Sequence, residues 1–192
     1  MVAILAAALG ASPAAADRAA TTQDRADSSI ALVSGWNLIS LPLSPDDAAI
    51  AEALRSIGGD YDLAFAYDAS RASDPWRVHA PAAPPYANSL THVDETMGIW
   101  VHTTRAATLS VSGDAPVSTA IPLYTGWNLV GYPSSVARPI SEALSSIAGL
   151  YTLVYAYDAA HPAYPWQVFD PSAPAGSNTL TQMAPGRGYW IQ

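Results

Sequence analysis

Residues 50–101 laid on residues 140–191 are identical at 24 of 52 positions. Self-similarity on this scale constrains the fold more than any other feature, because duplicated sequence folds most simply into two copies of one unit. The segments IAEALRSIGGDYDLAFAYDA and ISEALSSIAGLYTLVYAYDA are copies, as are PWRV and PWQV, NSLT and NTLT, and GIWV and GYWI. Gly-Trp-Asn-Leu recurs at 35–38 and 126–129, so one residue is lost in the second copy between this strand and the helix that follows. All six tryptophans fall on matched positions: Trp36, Trp76 and Trp100 against Trp127, Trp166 and Trp190. A tryptophan buries a large apolar area, so the indoles are expected to fill the interiors of two small cores. Trp76 and Trp166, each beside a proline after a loop, are the pair best placed to face a ligand instead.

One order of elements fits both copies. Residues 30–33 and 36–41 read as strands around a turn at Ser34-Gly35. A helix is expected next, with Ser44 as cap, Pro45 at its first position and Asp46 and Asp47 at its positive end. Its apolar stripe is Ile50, Ala53, Leu54 and Ile57, repeated as Ile140, Ala143, Leu144 and Ile147. Gly58-Gly59 and Gly149 end it. Residues 63–67 alternate large and small, as in a strand covered differently on its two faces. Strands at 75–78, 98–102 and 108–111 follow, separated by a proline-rich stretch, 81–88, that fits neither helix nor central strand. The second copy has no counterpart of residues 103–120 in this sequence, which would leave a neighbouring strand edge unpaired. The expected fold is therefore mainly β with one short helix per repeat (α+β). It consists of two tandem copies of about ninety residues, residues 29–120 and 121–192, packed as one pseudo-symmetric unit with the second copy truncated.

The N-terminus differs in kind. The apolar run Val2–Leu9, followed by the small residues Ala11–Ala16, reads as a secretory signal over residues 1–16 with cleavage after Ala16. It is too short to span a bilayer. Residues 17–28 are polar and aperiodic and read as a disordered linker. The formal charge of −8, with every cation an arginine, argues against a nucleic-acid partner, and no basic cluster suits an anionic lipid surface.

No reactive constellation stands out. The chain has no cysteine, and it lacks the nucleotide-loop, zinc-protease, serine-hydrolase and EF-hand motifs. His79, His92, His102 and His161 have no ligand spacing. Two acids recur, Glu52/Glu142 and Asp68/Asp158. The first suits an early helical position, and the second suits the opening of a loop, where its side chain can bond the backbone. Asp60, Asp62, Asp68 and Asp74 could gather round calcium only in the first copy, since three of the four are replaced in the second. No enzyme activity, cofactor or metal is expected. The aromatic side chains Tyr61/Tyr151, Tyr67/Tyr157 and Trp76/Trp166, with Tyr86, Tyr132 and Tyr164, could line a sugar-binding face; Trp76, Tyr86, Tyr164 and Trp166 are the candidate ligand contacts.

GWNLISLPL and GWNLVGYPS, a short helix, YD before a loop, PW, NTLT and PGRGYWI together resemble the repeat modules of exported, cell-surface-associated proteins of bacteria and archaea. The first copy departs from the pattern at DETMGIW, where the second has APGRGYW. The resemblance implies a secreted or cell-surface, non-catalytic structural, adhesive or interaction module, with other surface or extracellular proteins, or glycans, as partners. A carbohydrate-binding module is the first alternative and a hydrolase with an unrecognised site the second. The loops at 68–76, 80–90, 158–166 and 170–180 are the expected contact surfaces.

Overall fold

Strand-forming residues dominate the computed structural model, which describes residues 25–192 and the backbone of residues 3–8. In chain order the first elements are β1 (Ala3–Ala8), β2 (Arg25–Leu32), β3 (Gly35–Ser40), β4 (Ser44–Pro45), α1 (Ile50–Ala53), β5 (Tyr61–Tyr67), β6 (Trp76–His79), β7 (Gly98–Thr103) and β8 (Ala107–Asp114). They are followed by β9 (Ser118–Leu123), β10 (Asn128–Val130), β11 (Arg138–Pro139), α2 (Ile140–Ala143), β12 (Val154–Tyr157), β13 (Trp166–Phe169), β14 (Gln182–Met183) and β15 (Tyr189–Ile191). The fold is mainly β with short helices. No helix among the described residues is long and apolar enough to cross a membrane.

Two four-stranded antiparallel sheets carry the structure, in the orders β3-β7-β5-β6 and β10-β15-β12-β13. Strand alternation divides each sheet into two unlike faces. In β5, Ala64 and Ala66 are buried while Phe65 and Tyr67 are only half-buried. The buried face packs on the helix stripe: Ile50, Leu54 and Ile57 join Ile39, Ala64, Ile99 and Val101 in one core. Ile140, Leu144 and Ile147 join Val130, Val154, Tyr189 and Ile191 in the other.

The helices are shorter than the stripe suggests. Each makes one α-turn and continues as a 3-10 turn, at Arg55–Ile57 and Ser145–Ile147. Ser44 does not cap α1, and Pro45 is not its first residue. Both lie in β4, which pairs with β8 at Asp114 and Gly113. β4 comes so close that a Cβ on Gly113 would stand 1.9 Å from the Ser44 carbonyl oxygen. Ala49 precedes α1 without a side-chain cap, and the Asp47 carboxylate instead accepts the Ala49 N–H at 2.8 Å.

Residues 25–28, expected to belong to the linker, form the first half of β2. Their polar side chains suit a strand with one wet face: exposed and half-buried positions alternate from Arg25 to Ala31, and Arg25 pairs with Asp46. The expected cleavage point at Ala16 and the rest of the linker lie outside the described residues. Ala3–Ala8 lies inside them and pairs antiparallel with β9, so the edge expected to stand open has a partner.

The recurring Gly-Trp-Asn-Leu is a stapled turn. Gly35 and Gly126 adopt φ of +100° and +96°, a conformation that disfavours any side chain. The buried Asn37 accepts from the Val33 N–H at 3.0 Å and donates to the Val33 and Gly35 carbonyls at 2.8 and 3.0 Å. Asn128 repeats this on Tyr124 and Gly126. The asparagine side chain thus satisfies backbone groups that the turn leaves unpaired.

Candidate functional site: an exposed aromatic face

The tryptophans do not fill the cores. Trp36 and Trp127 are 38% and 36% exposed, and Trp76 and Trp166 are 46% and 49% exposed. Trp100 and Trp190 are half-buried. The reason is parity along the strands. In β7, Ile99 and Val101 point inward, so Trp100 points to the opposite face; in β3 the inward Asn37 and Ile39 put Trp36 outside. Apolar residues lie on both faces of these strands, so alternation says which residues share a face but not which face is covered.

The two aromatic faces meet. Where β3 ends, the Ser40 N–H donates to the Gly186 carbonyl at 3.1 Å, and beyond β10 the Gly131 N–H donates to the Thr96 carbonyl at 2.7 Å. Bridges Ile39–Arg187 and Met97–Val130 extend the same joint. Gly98 and Gly188 stand at its centre. A Cβ on Gly98 would lie 2.8 Å from Leu129 Cδ1 and from the Val130 oxygen, and one on Gly188 would lie 2.7 Å from the Ile39 oxygen and 3.2 Å from the Gly98 Cα. No side chain fits either position.

Across this joint the rings form a closed circuit. Trp36 touches Phe65 (centroids 5.8 Å), Phe65 touches Trp76 (6.2 Å), and Trp76 crosses to Trp190 (6.0 Å). Trp190 touches Trp127 (6.2 Å), Trp127 touches Tyr155 (5.8 Å), and Tyr155 touches Trp166 (6.1 Å). Trp166 crosses back to Trp100 (5.9 Å), which touches Trp36 (6.3 Å). Tyr67 packs on Trp76 and Trp190, and Tyr157 on Trp166 and Trp100. Most pairs are edge-to-face or tilted, a geometry that adds roughly 0.5–1.5 kcal/mol per pair beyond area burial. Two open recesses indent the surface. One, of about 670 Å³, is lined by Tyr67, Trp76, Trp127, Tyr155, Trp166 and Trp190. The other, of about 450 Å³, is lined by Trp36, Phe65, Trp76, Trp100 and Tyr157.

Of the candidate contacts, Trp76 and Trp166 belong to this face. Tyr86 and Tyr164, 91% and 87% exposed, stand alone on loops and touch no other ring. Tyr67 and Tyr157 also belong to it, whereas Tyr61 and Tyr132 are core residues, and burial raises the Tyr61 and Tyr151 phenol pKa values. Trp36, Trp100, Trp127 and Trp190 were expected inside and are instead part of the site. The sequence does carry a signal for this: on β5 the residues between the rings are alanines, small enough to be wholly covered.

The acids are engaged elsewhere. Asp68 accepts from the Ser70 N–H at 3.1 Å, and Asp158 from the Ala160 N–H at 3.1 Å, as expected of loop-opening aspartates. Asp60 pairs with Arg105, Asp74 with Arg77, and Asp62 Oδ1 lies 2.6 Å from His102 Nδ1. Thus the four aspartates considered for calcium face different partners, and no acid or histidine cluster suited to a metal occurs among the described residues. His79 stacks on Tyr61 at 6.1 Å, and burial lowers its pKa. Comparison with family models, with curated proteins and with solved structures gives no match, so the reading of this site rests on its own geometry.

Proposed function

We propose that the chain is a non-catalytic interaction module: two copies of one unit, related by an approximate two-fold through Gly98 and Gly188, that present a shared aromatic face to a partner. The observation that carries the reading is the closed circuit of eight rings, all six tryptophans among them, with recesses open to solvent. Monomeric soluble proteins seldom expose so continuous an apolar patch without using it, and tryptophan and tyrosine dominate the energetics of protein contacts. The recess walls are almost wholly ring surface. They suit an extended apolar or proline-containing segment of another protein, which needs little hydrogen bonding from the groove. A cell-surface or secreted setting draws its support from the resemblance of the repeated motifs.

Carbohydrate binding is a second reading, favoured by the half-exposed indoles of Trp76 and Trp166 at the rim, where a sugar ring could stack. Tryptophan-fluorescence titration against apolar and proline-rich peptides, run beside a glycan array, separates the two. Saturable peptide binding that is lost in Trp76→Ala/Trp166→Ala, with circular dichroism unchanged, is expected. Binding to glycans alone would transfer the proposal to the second reading. An aromatic face that binds neither, or binding indifferent to both substitutions, would refute it.

A further inference from the structure

The strand β1 has a counterpart inside the same chain. β8 pairs with β2 so that Leu32 faces Ala107 and Ile30 faces Leu109. β1 pairs with β9 so that Leu123 faces Ala3 and Ile121 faces Leu5. Leu32 and Leu123 each stand three residues before the glycine of a Gly-Trp-Asn-Leu turn, and Ile30 and Ile121 five before it. Ala3 therefore holds the place of Ala107 and Leu5 the place of Leu109, in the same antiparallel register. The surroundings agree: β8 lies against the 3-10 turn Arg55–Ile57, and β1 lies against the matched turn Ser145–Ile147.

We propose that Ala3–Ala8 takes beside β9 the place that β8 takes beside β2, supplied from the start of the chain, and that it belongs to the working fold. An unpaired β9 would offer a row of open backbone donors and acceptors to any passing strand. Ala3–Ala8 closes that edge and ties the start of the chain to its second half. The proposal is independent of the aromatic face. It excludes use of the same residues as a leader removed after Ala16.

The chain has no cysteine, so one engineered pair reports the register without competition. Ala6 faces the exposed Ala120, and directly opposed residues lie about 4.5–5.5 Å apart at Cα, within disulfide reach. Moving one partner two residues along the strand opens the gap to about 7–8 Å, beyond that reach. In the full chain, Ala6→Cys/Ala120→Cys should oxidise to an intrachain disulfide at least about tenfold faster than Ala6→Cys/Ser118→Cys. Equal rates, or no disulfide in the first pair, would overturn the proposal. Hydrogen exchange supplies a second readout. The alternate β9 amides that bond to β1 (Pro122 has none) should exchange slowly in the full chain, quickly without residues 1–10, and slowly again when residues 3–8 carry the β8 sequence Ala-Thr-Leu-Ser-Val-Ser. Slow exchange that persists without residues 1–10, or mature protein that begins after Ala16, would equally contradict it.

Discussion

The two halves of the molecule agree more closely in their outward rings than in the core strand positions behind those rings. The first core places Leu41 and Ile99 where the second places Tyr132 and Tyr189, whose rings meet edge-on at 6.4 Å. Ala64 and Val101 in the first face Val154 and Ile191 in the second. The outward rings, by contrast, are Trp36, Tyr67, Trp76 and Trp100 against Trp127, Tyr157, Trp166 and Trp190, with only Phe65 against Tyr155 differing. All four of these core swaps enlarge the side chain in the second half, so the two interiors are packed differently. Rings retained where packing demands less of them are the pattern expected of a contact surface, and this supports the proposed function.

The deepest cut into the comparison is at the helix stripe, where the halves match. Leu54→Ala and Leu144→Ala each empty a fully buried site and should each cost about 2–5 kcal/mol in denaturant unfolding. A cost below about 1 kcal/mol in one half only would show that the two cores are not equivalent supports. Next comes the joint. Gly188→Ala forces a methyl group against the Ile39 carbonyl and should cost roughly 1–3 kcal/mol. It should also weaken the near-ultraviolet dichroism of the ring circuit, because the sheets must separate; Gly98→Ala should do the same.

The pair Ile99 and Tyr189 sharpens the difference. The Tyr189 hydroxyl accepts the Ala184 N–H at 2.7 Å, and burial lifts its pKa to about 12. A phenol raised above its unfolded value near 10 contributes stability that is complete below pH 10 and lost as pH climbs toward 12, at up to about 1.4 kcal/mol per pH unit. Tyr189→Phe should flatten that loss. It should also lower stability at neutral pH by about 1–3 kcal/mol, because the Ala184 N–H loses its acceptor. Tyr61 and Tyr151, matched in the two halves and also raised by burial, keep their own contribution to the alkaline slope in that variant, so the slope should fall without vanishing. A slope that survives Tyr189→Phe intact would place the titrating group elsewhere.

Much of this fold was legible in the sequence. Strand alternation and turn residues pointed to a mainly β fold with short helices, the helix stripe named residues that are buried, and the aspartates at 68 and 158 open their loops as their chemistry suggests. What failed was the side of the sheet. A strand bearing Trp36 and Leu38 on one face and Asn37 and Ile39 on the other looks apolar both ways, and indoles are usually read as filling. Asn37 and Asn128 are what turn the motif: each is buried because the turn needs its amide, and that puts the neighbouring tryptophan outside. The run at 3–8 is ambiguous for a different reason. Alanine and leucine suit a leader as well as a strand, and the pairing with β9 is visible only once the chain is folded.

The residues of greatest functional interest tie up less energy than a core indole would. Trp76→Ala and Trp166→Ala each lose three ring contacts and should each cost roughly 1.5–3 kcal/mol, against roughly 3–5 kcal/mol for an indole in a packed core. The most direct test needs no substitution. Acrylamide quenching of the intrinsic fluorescence of the native full chain reads the exposure of all six indoles at once. Substantial quenching of a red-shifted emission already in the native chain, rising further on unfolding, is predicted for rings that are partly open to water. A blue-shifted emission that resists quenching until the chain unfolds would return the tryptophans to the interior and remove the aromatic face.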